Sequence, residues 1–142
     1  MNITELPFNK LICINLSADN EYLLCLEDKI QYTNHLKTVH ASALFSLAEA
    51  TSGHFLLVNF PEYENELIPV VRHVEIKYKK PANGQINSTA TLIDNSVENI
   101  KEQLNTRKRA SVKIKVDLFD TNKTNLLTSE FEWFVTTINT ST

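Results

Sequence analysis

Glu49 is the only residue that carries a full charge at neutral pH in the run ASALFSLAEATSGHFLLVNF, which extends from Ala41 to Phe60. A carboxylate among so many apolar neighbours loses most of its hydration, which disfavours the charged form and raises the pKa. A carboxyl group in this state is suited to act as a general base toward a water molecule. The alternative is a structural carboxylate that bonds to Thr51, Ser52 or a neighbouring backbone group.

A second set of groups suited to catalysis lies where this run begins. Alanine, leucine and phenylalanine are frequent in the run and no proline interrupts it before Pro61, so it is predicted to form a helix. His40, Ala41 and Ser42 then stand at the helix start, where free amide groups and the helix dipole stabilise negative charge on a carbonyl oxygen. A histidine at this place has simpler uses too, because it can cap the helix or orient the preceding loop.

The spacing of these two sets of groups bears on the number of chains in the site. Glu49 lies nine residues beyond His40, which corresponds to about 13 Å along a helix axis. One chain therefore does not easily bring both groups to one substrate atom. Two chains whose helices run antiparallel would place the start of one helix beside the middle of the other. The spacing thus predicts a site shared between subunits and an obligate dimer.

The predicted helix is apolar around most of its circumference, which is typical of a helix covered on nearly every side. Its apolar residues are Leu44, Phe45, Leu47, Ala48, Phe55, Leu56, Leu57 and Val58. A membrane-spanning helix is the competing interpretation, but polar residues between Ser46 and His54 occupy the centre of the run, where hydrocarbon would penalise them. We therefore expect no membrane insertion.

Strands are predicted on both sides of the helix. Two apolar runs, KLICINL and EYLLCLE, precede it and indicate a hairpin. Four stretches with period-two patterns follow it, near residues 73–79, 86–93, 110–118 and 127–135. A small sheet covers one helix on all sides only if it curls around that helix. The predicted fold is therefore α+β, a curved antiparallel β-sheet wrapped around one long central helix, in a single domain spanning residues 1–142.

The composition argues against several classes of partner. Seventeen acidic and fourteen basic residues give a net charge of −3, which provides no general attraction to nucleic acid or anionic lipid. The N-terminal sequence MNITELPFNK lacks a basic region followed by an apolar core, so a cytoplasmic location is expected. Cys13 and Cys25 are expected to be buried and reduced, and no residues have the spacing of a metal site.

The stretch NHLKTVHASALFSLAEA, from Asn34 to Ala50, resembles the signature of hotdog-fold acyl-CoA thioesterases of the phenylacetyl-CoA type. In that family an asparagine, a histidine followed by two glycines at the helix start, and an acidic helix residue recur at these intervals. Here Ala41 and Ser42 replace the two glycines, and Lys37 replaces a glycine common in the preceding loop. The resemblance implies a hotdog fold and an enzyme that hydrolyses an acyl-CoA or a related acyl thioester.

The resemblance also implies roles for individual residues. Asn34, His40 and the Ala41 amide come from one subunit and act on the thioester carbonyl, while Glu49 of the other subunit directs water at it. Coenzyme A enters as part of the substrate, and no separate cofactor is implied. The protein is then a homodimer or a dimer of dimers. For Asn34, whose residue type is common in turns, closure of the loop is the alternative role.

Further residues are candidates for binding the substrate. Ser42 lies at the helix start. Ser52 shares a helix face with Glu49, so it either holds the attacking water or bonds back to the helix backbone.

A basic cluster is a candidate for the phosphates of coenzyme A, and its members are Arg107, Lys108 and Arg109. We expect this cluster to lie beside the lysines that end the first strand after the helix, Lys77, Lys79 and Lys80. A solvated rim is the alternative interpretation of these charges.

The competing function is a non-catalytic protein that binds acyl-CoA or another acyl thioester in the same groove. The missing glycines favour this alternative, and the presence of Glu49 opposes it. A hydratase or dehydratase on the same fold is a third and weaker hypothesis, because the sequence lacks the motif of those enzymes.

Overall fold

The computed structural model describes residues 1–138. Its helices and strands are α1 (Pro7–Leu11), β1 (Asn15–Leu16), β2 (Leu24–Leu26), α2 (Ala41–Asn59), β3 (Leu67–Tyr78), β4 (Ile86–Ile93), α3 (Val97–Arg107), β5 (Arg109–Phe119) and β6 (Asn125–Thr137). Single turns of 3-10 helix cover Ile3–Glu5, Ile30–Tyr32 and Pro61–Tyr63. The predicted order of two strands, one long helix and four strands is confirmed.

The strands form one antiparallel sheet in the order β1-β2-β4-β5-β6-β3. The sheet curves around α2, which packs against β2, β4, β5 and β6. Alternate residues of β5 are buried against the helix, as the period-two pattern predicts. The expected architecture, a curved antiparallel sheet around one long central helix, is therefore confirmed.

The long helix α2 is the centre of the core. Eight of its residues are buried, and they are Leu44, Leu47, Ala48, Ala50, Thr51, Ser52, Gly53 and Leu56. By length and composition alone α2 could cross a membrane. In the folded chain, however, the sheet covers much of its circumference, so the apolar character of the helix is explained by its place in the core.

Two helices were not predicted from the sequence. Lys10 and Leu11, the first two residues of the run KLICINL, belong to α1. The N-terminal hairpin therefore consists only of the short strands β1 and β2. The polar stretch before β5 forms α3, which buries Ile100 and Leu104. The prediction for the cysteines is correct for Cys25, which is buried and free, but Cys13 is free and half-buried.

The strand β3 lies at one edge of the sheet and pairs only with β6 within residues 1–138. It is twelve residues long and exposes Ile68 and Val70, which are 47% and 54% accessible. A long edge strand with exposed apolar side chains is a template for pairing with another chain.

Candidate functional site

The start of α2 is fixed by the side chain of His40. This residue is the N-cap, with φ −61° and ψ 139°, and its Nδ1 accepts the amide N–H of Ser42 at 3.0 Å. The amide of His40 itself donates to the carbonyl of Tyr32 at 2.6 Å. His40 therefore does cap the helix and tie it to the preceding loop.

The hydrogen bonds at this helix start leave one amide without an acceptor among the residues described. The amide of Ser42 donates to His40, and those of Ala43 and Leu44 donate to the carbonyl of His40 at 3.0 and 3.2 Å. The amide of Ala41 has no acceptor within residues 1–138. A free amide on the first residue of a nineteen-residue helix is suited to bind a carbonyl oxygen that acquires negative charge.

The same geometry assigns the tautomer of neutral His40. Because Nδ1 accepts a hydrogen bond, the proton of the neutral ring is on Nε2. The imidazole of His40 lines a cavity beside the helix start. A neutral His40 therefore has an Nε2–H donor that makes no hydrogen bond with the described residues, and a proton on Nδ1 would break the helix cap.

Glu49 lies on the part of α2 that the chain leaves open. Its side chain is half-buried and makes no hydrogen bond or ion pair with any residue described. Loss of hydration on burial raises the pKa of its carboxyl group. Ser42, Phe45 and Ser46 precede it by seven, four and three residues, so they share its helix face.

The hydroxyl groups nearest to Glu49 in the sequence bind elsewhere. Thr51 Oγ1 donates to the carbonyl of Leu47 at 2.7 Å, and Ser52 Oγ donates to the backbone carbonyl of Glu49 at 2.7 Å. Ser52 is fully buried and also accepts a hydrogen bond from Nε1 of Trp133 at 3.0 Å. The structure therefore places Ser52 in the core, in the alternative role of a hydroxyl bonded back to the helix.

Asn34 organises the loop that precedes the helix. Its Oδ1 accepts the amides of Leu36 and Thr38 at 2.9 and 3.1 Å, and its Nδ2 donates to Thr38 Oγ1 at 2.9 Å. Lys37 in the same loop has φ +61°, in the left-handed region that favours glycine. The side chain of Asn34 is thus used within the loop, and one N–H of its amide is left for a ligand.

The basic residues do not form the single cluster that the sequence predicted. Arg109 pairs with Thr136, and Leu67 pairs with Thr137, so Arg107, Lys108 and Arg109 lie at the end of the sheet where β3 begins. Lys77, Lys79 and Lys80 lie where β3 ends, about 30 Å away at the rise of an extended strand. The expectation that the two groups are neighbours within one chain is wrong, because β3 separates them.

A cavity of about 340 Å³ opens beside the helix start. It is lined by Phe8, Ile12, Leu26, Gln31, Tyr32, Thr33, His40, Ser42, Ala43 and Ser46. Phe8, Tyr32 and Ser46 were not singled out in the sequence. For Ser46 the signal was its place one helical turn after Ser42, whereas nothing in the local sequence links Phe8 to this site.

The described residues contain no group of three or more His, Cys, Asp or Glu side chains arranged to hold a metal ion. The imidazole of His54 is half-buried, and burial lowers its pKa.

A comparison with protein families assigns most of the chain. Residues 11–135 match a family model described as a domain of unknown function, DUF4442. The chain belongs to this family. The match includes α2 and nearly the whole sheet and leaves residues 1–10 outside it. No curated protein matches the chain.

Solved structures share the fold over most of the chain. A Pseudomonas aeruginosa protein of unknown function, described as a probable thioesterase, is 21% identical with a TM-score of 0.79, and the match covers 96% of this chain and 91% of that chain. A Bacillus halodurans protein solved with CoA is 15% identical, with a TM-score of 0.63 and coverage of 79% and 69%. A hypothetical thioesterase from Streptococcus pneumoniae, solved with coenzyme A, is 17% identical, with a TM-score of 0.60 and coverage of 80% and 77%.

These likenesses identify the fold as the hotdog fold, as the sequence resemblance implied. Proteins with one fold carry out different functions, so the chemistry must be argued from the site.

Proposed function

We propose that this protein hydrolyses an acyl-CoA or a related acyl thioester at a site shared by two subunits. The observation that carries this proposal is the state of Glu49. Its carboxylate is half-buried, its pKa is raised by burial, and it has no partner within residues 1–138. A carboxylate kept in this state on the open face of a buried helix is suited to take a proton from water.

The proposed reaction combines Glu49 of one subunit with the helix start of the other subunit. Glu49 accepts a proton from water while the water oxygen attacks the thioester carbonyl carbon. The amide of Ala41 and Nε2–H of His40 bind the oxygen that becomes negatively charged. The carbon–sulfur bond then breaks, the acid product forms, and the proton from Glu49 goes to the sulfur of coenzyme A. In this scheme Asn34 holds the loop and directs its remaining N–H toward the carbonyl.

The exposed edge of β3 suggests how the two subunits join, and in the proposed dimer β3 pairs with the partner subunit's β3. Two-fold symmetry makes such pairing antiparallel, and the helices of the two subunits then also run antiparallel. The end of β3 at Tyr78 lies at the helix start, because Tyr78 Oη is 3.4 Å from the carbonyl of Ala41. In the proposed dimer this end of β3 lies beside the beginning of the partner's β3. The start of α2 in one subunit therefore approaches the part of the partner subunit that lies beyond the start of its own α2.

The same dimer offers a place for the leaving group. The partner subunit's Arg107, Lys108 and Arg109 lie at the beginning of its β3. Two-fold pairing brings them toward the start of α2 in the first subunit, whereas within one chain they lie far from the start of their own α2. All three side chains are exposed, as binding of a flexible polyphosphate requires. The structures of two similar folds contain coenzyme A, which supports this class of substrate. A dimer of dimers is compatible with this arrangement.

The second candidate is a protein that binds acyl thioesters without hydrolysing them. Two observations favour it. Ala41 and Ser42 carry Cβ atoms at the helix start where the resembling family has glycine. The side chain of Asn34 already makes four hydrogen bonds within its loop.

One experiment separates the two candidates. Purified protein is supplied with a panel of acyl-CoAs, release of thiol is followed, and binding is measured by calorimetry. We expect turnover that falls by about 10²-fold or more in Glu49→Gln, while affinity changes by only several-fold. The matched control is Glu130→Gln, because Glu130 is an exposed carboxylate of β6. Binding without turnover in the wild type would support the non-catalytic candidate.

A further inference from the structure

The N-terminal segment, residues 1–10, lies outside the family match and yet forms part of the cavity at the helix start. Phe8 from α1 lines this cavity together with residues of α2. This segment therefore lies beyond the bounds of the family model and contributes a side chain to the place where the proposed reaction occurs.

The segment is anchored at its ends and free at Phe8. Ile3 is buried, and its Cδ1 lies 3.4 Å from the place of a Cβ on Gly53, so Ile3 packs against α2. Asn9 is 5% accessible and donates through Nδ2 to the carbonyl of Ile3 at 3.0 Å. Phe8, between them, remains 59% accessible. The backbone of α1 is thus held in place while the Phe8 ring can change its rotamer.

The cavity has an apolar and a polar part. Leu26, which is 1% accessible, and Ile12 form apolar walls. His40, Ser42 and Ser46 bring polar atoms to the wall at the helix start. A ligand with an apolar chain and a carbonyl group at one end matches this distribution. At about 340 Å³ the cavity is near the lower limit of about 300 Å³ for small-molecule pockets.

We propose that this cavity holds the acyl chain of the thioester, that it selects acyl groups of medium length, and that Phe8 is the residue that sets the limit. The expected effect on turnover rests on the proposed hydrolysis. The binding of an acyl chain in the cavity can be tested without hydrolysis. The carbonyl of the bound chain lies toward the amide of Ala41, and the chain extends toward Leu26. Phe8 closes over the chain and limits its length.

The test uses Phe8→Ala and the matched control Leu11→Ala. Leu11 is on the same short helix and 77% accessible, and it does not line the cavity. We expect the ratio of kcat/KM for dodecanoyl-CoA to that for hexanoyl-CoA to rise by about tenfold in Phe8→Ala, because a few methylene groups in an apolar pocket change this ratio by at least that factor. Leu11→Ala should keep the wild-type ratio. An unchanged ratio in Phe8→Ala would overturn the assignment of Phe8.

A second measurement does not depend on turnover. Hexanoate is added to ¹⁵N-labelled protein, and shifts of the amide resonances are recorded. We expect the largest shifts at Ile12, Ser42 and Ser46, and at least tenfold weaker binding in Phe8→Ala. If no acyl-CoA is hydrolysed but these shifts occur, the proposed function fails and the acyl cavity stands. If hydrolysis occurs and the shifts lie elsewhere, the acyl cavity is excluded and the proposed function stands.

Discussion

The imidazole Nδ1 of His40 accepts the amide of Ser42 at 3.0 Å, and this contact determines which donors remain at the start of α2. Within the described residues, the amide of Ala41 keeps no acceptor. Neutral His40 carries its proton on Nε2. The side chain of His40 caps the helix, and in the proposed mechanism it also supplies a donor for the carbonyl oxygen. The choice of substitution can separate the observed role from the proposed one.

We expect His40→Asn to keep the helix cap and to lose the Nε2–H donor, because asparagine is among the best N-cap residues. Its free energy of unfolding should stay within about 0.5 kcal/mol of the wild type, while turnover falls by about 10-fold to 10²-fold. His40→Ala should lose both, with about 1 kcal/mol less stability. Urea unfolding and thiol release measure the two effects. Full turnover in His40→Asn would show that His40 acts only as a cap.

The amide of Ala41 can be removed without removing the helix. Proline is well tolerated at the first helical position, and His40 has ψ 139°, which suits a residue before proline. We expect Ala41→Pro to fold and to lose about 10²-fold or more in kcat, the scale for one lost oxyanion donor. Ala41→Gly keeps the amide and removes the Cβ, so it should raise kcat/KM for bulky acyl groups. Equal turnover in Ala41→Pro and the wild type would exclude the amide as a donor.

The central architecture could be predicted because its signals are local. In β5, Ala110, Val112 and Ile114 alternate with polar residues and are all buried. The helix α2 has apolar residues around most of its circumference, and no proline interrupts it before Pro61. α3 was missed because Ile100 and Leu104 are its only buried residues, although their spacing and the N-cap Ser96 are a helix signal.

The candidate site could be predicted only in part. The sequence indicated Glu49, His40 and the amide of Ala41 because these belong to one helix. It did not indicate Phe8, which reaches the site through tertiary packing of α1. The basic residues at Arg109 and Lys77 were expected to be neighbours, but strand register separates them, and register is not readable from composition.

The loop before α2 stores backbone strain at Lys37, whose φ is +61°. A residue other than glycine in this conformation lowers the stability of the fold by about 1 kcal/mol or more. Replacing it with glycine removes this strain, but the greater freedom of glycine in the unfolded chain offsets part of the gain in stability. We expect Lys37→Gly to raise the free energy of unfolding by about 0.5 kcal/mol in urea titrations. The control is Lys29→Gly, because Lys29 has φ −136° and should lose stability. Destabilisation by Lys37→Gly would contradict this account of the loop.

The raised pKa of Glu49 gives a pH dependence with a definite sign. Burial makes the folded protein bind this proton more tightly than the unfolded chain does. The resulting stability is fully present below the unfolded pKa of about 4.3 and is lost as the pH rises through the folded pKa. At neutral pH, Glu49→Gln should therefore be more stable than the wild type, and the difference should vanish near pH 4.

Thermal unfolding over this pH range measures the effect, with Glu130→Gln as the exposed control. The kcat/KM of the wild type should fall as the pH is lowered through the raised pKa of Glu49, because the base becomes protonated. A loss of stability in Glu49→Gln at neutral pH would indicate a structural carboxylate instead of a base.

Complementation between two inactive variants tests the shared site most directly. Glu49→Gln and Ala41→Pro are purified separately, mixed in equal amounts and allowed to exchange subunits. If each site combines Glu49 of one subunit with the helix start of the other, a heterodimer has one intact site, so random exchange should restore about a quarter of wild-type turnover. If both groups act from the same chain, every site in the mixture keeps a defect. A mixture that exchanges subunits, as shown by mass spectrometry, and regains no turnover would contradict the shared site.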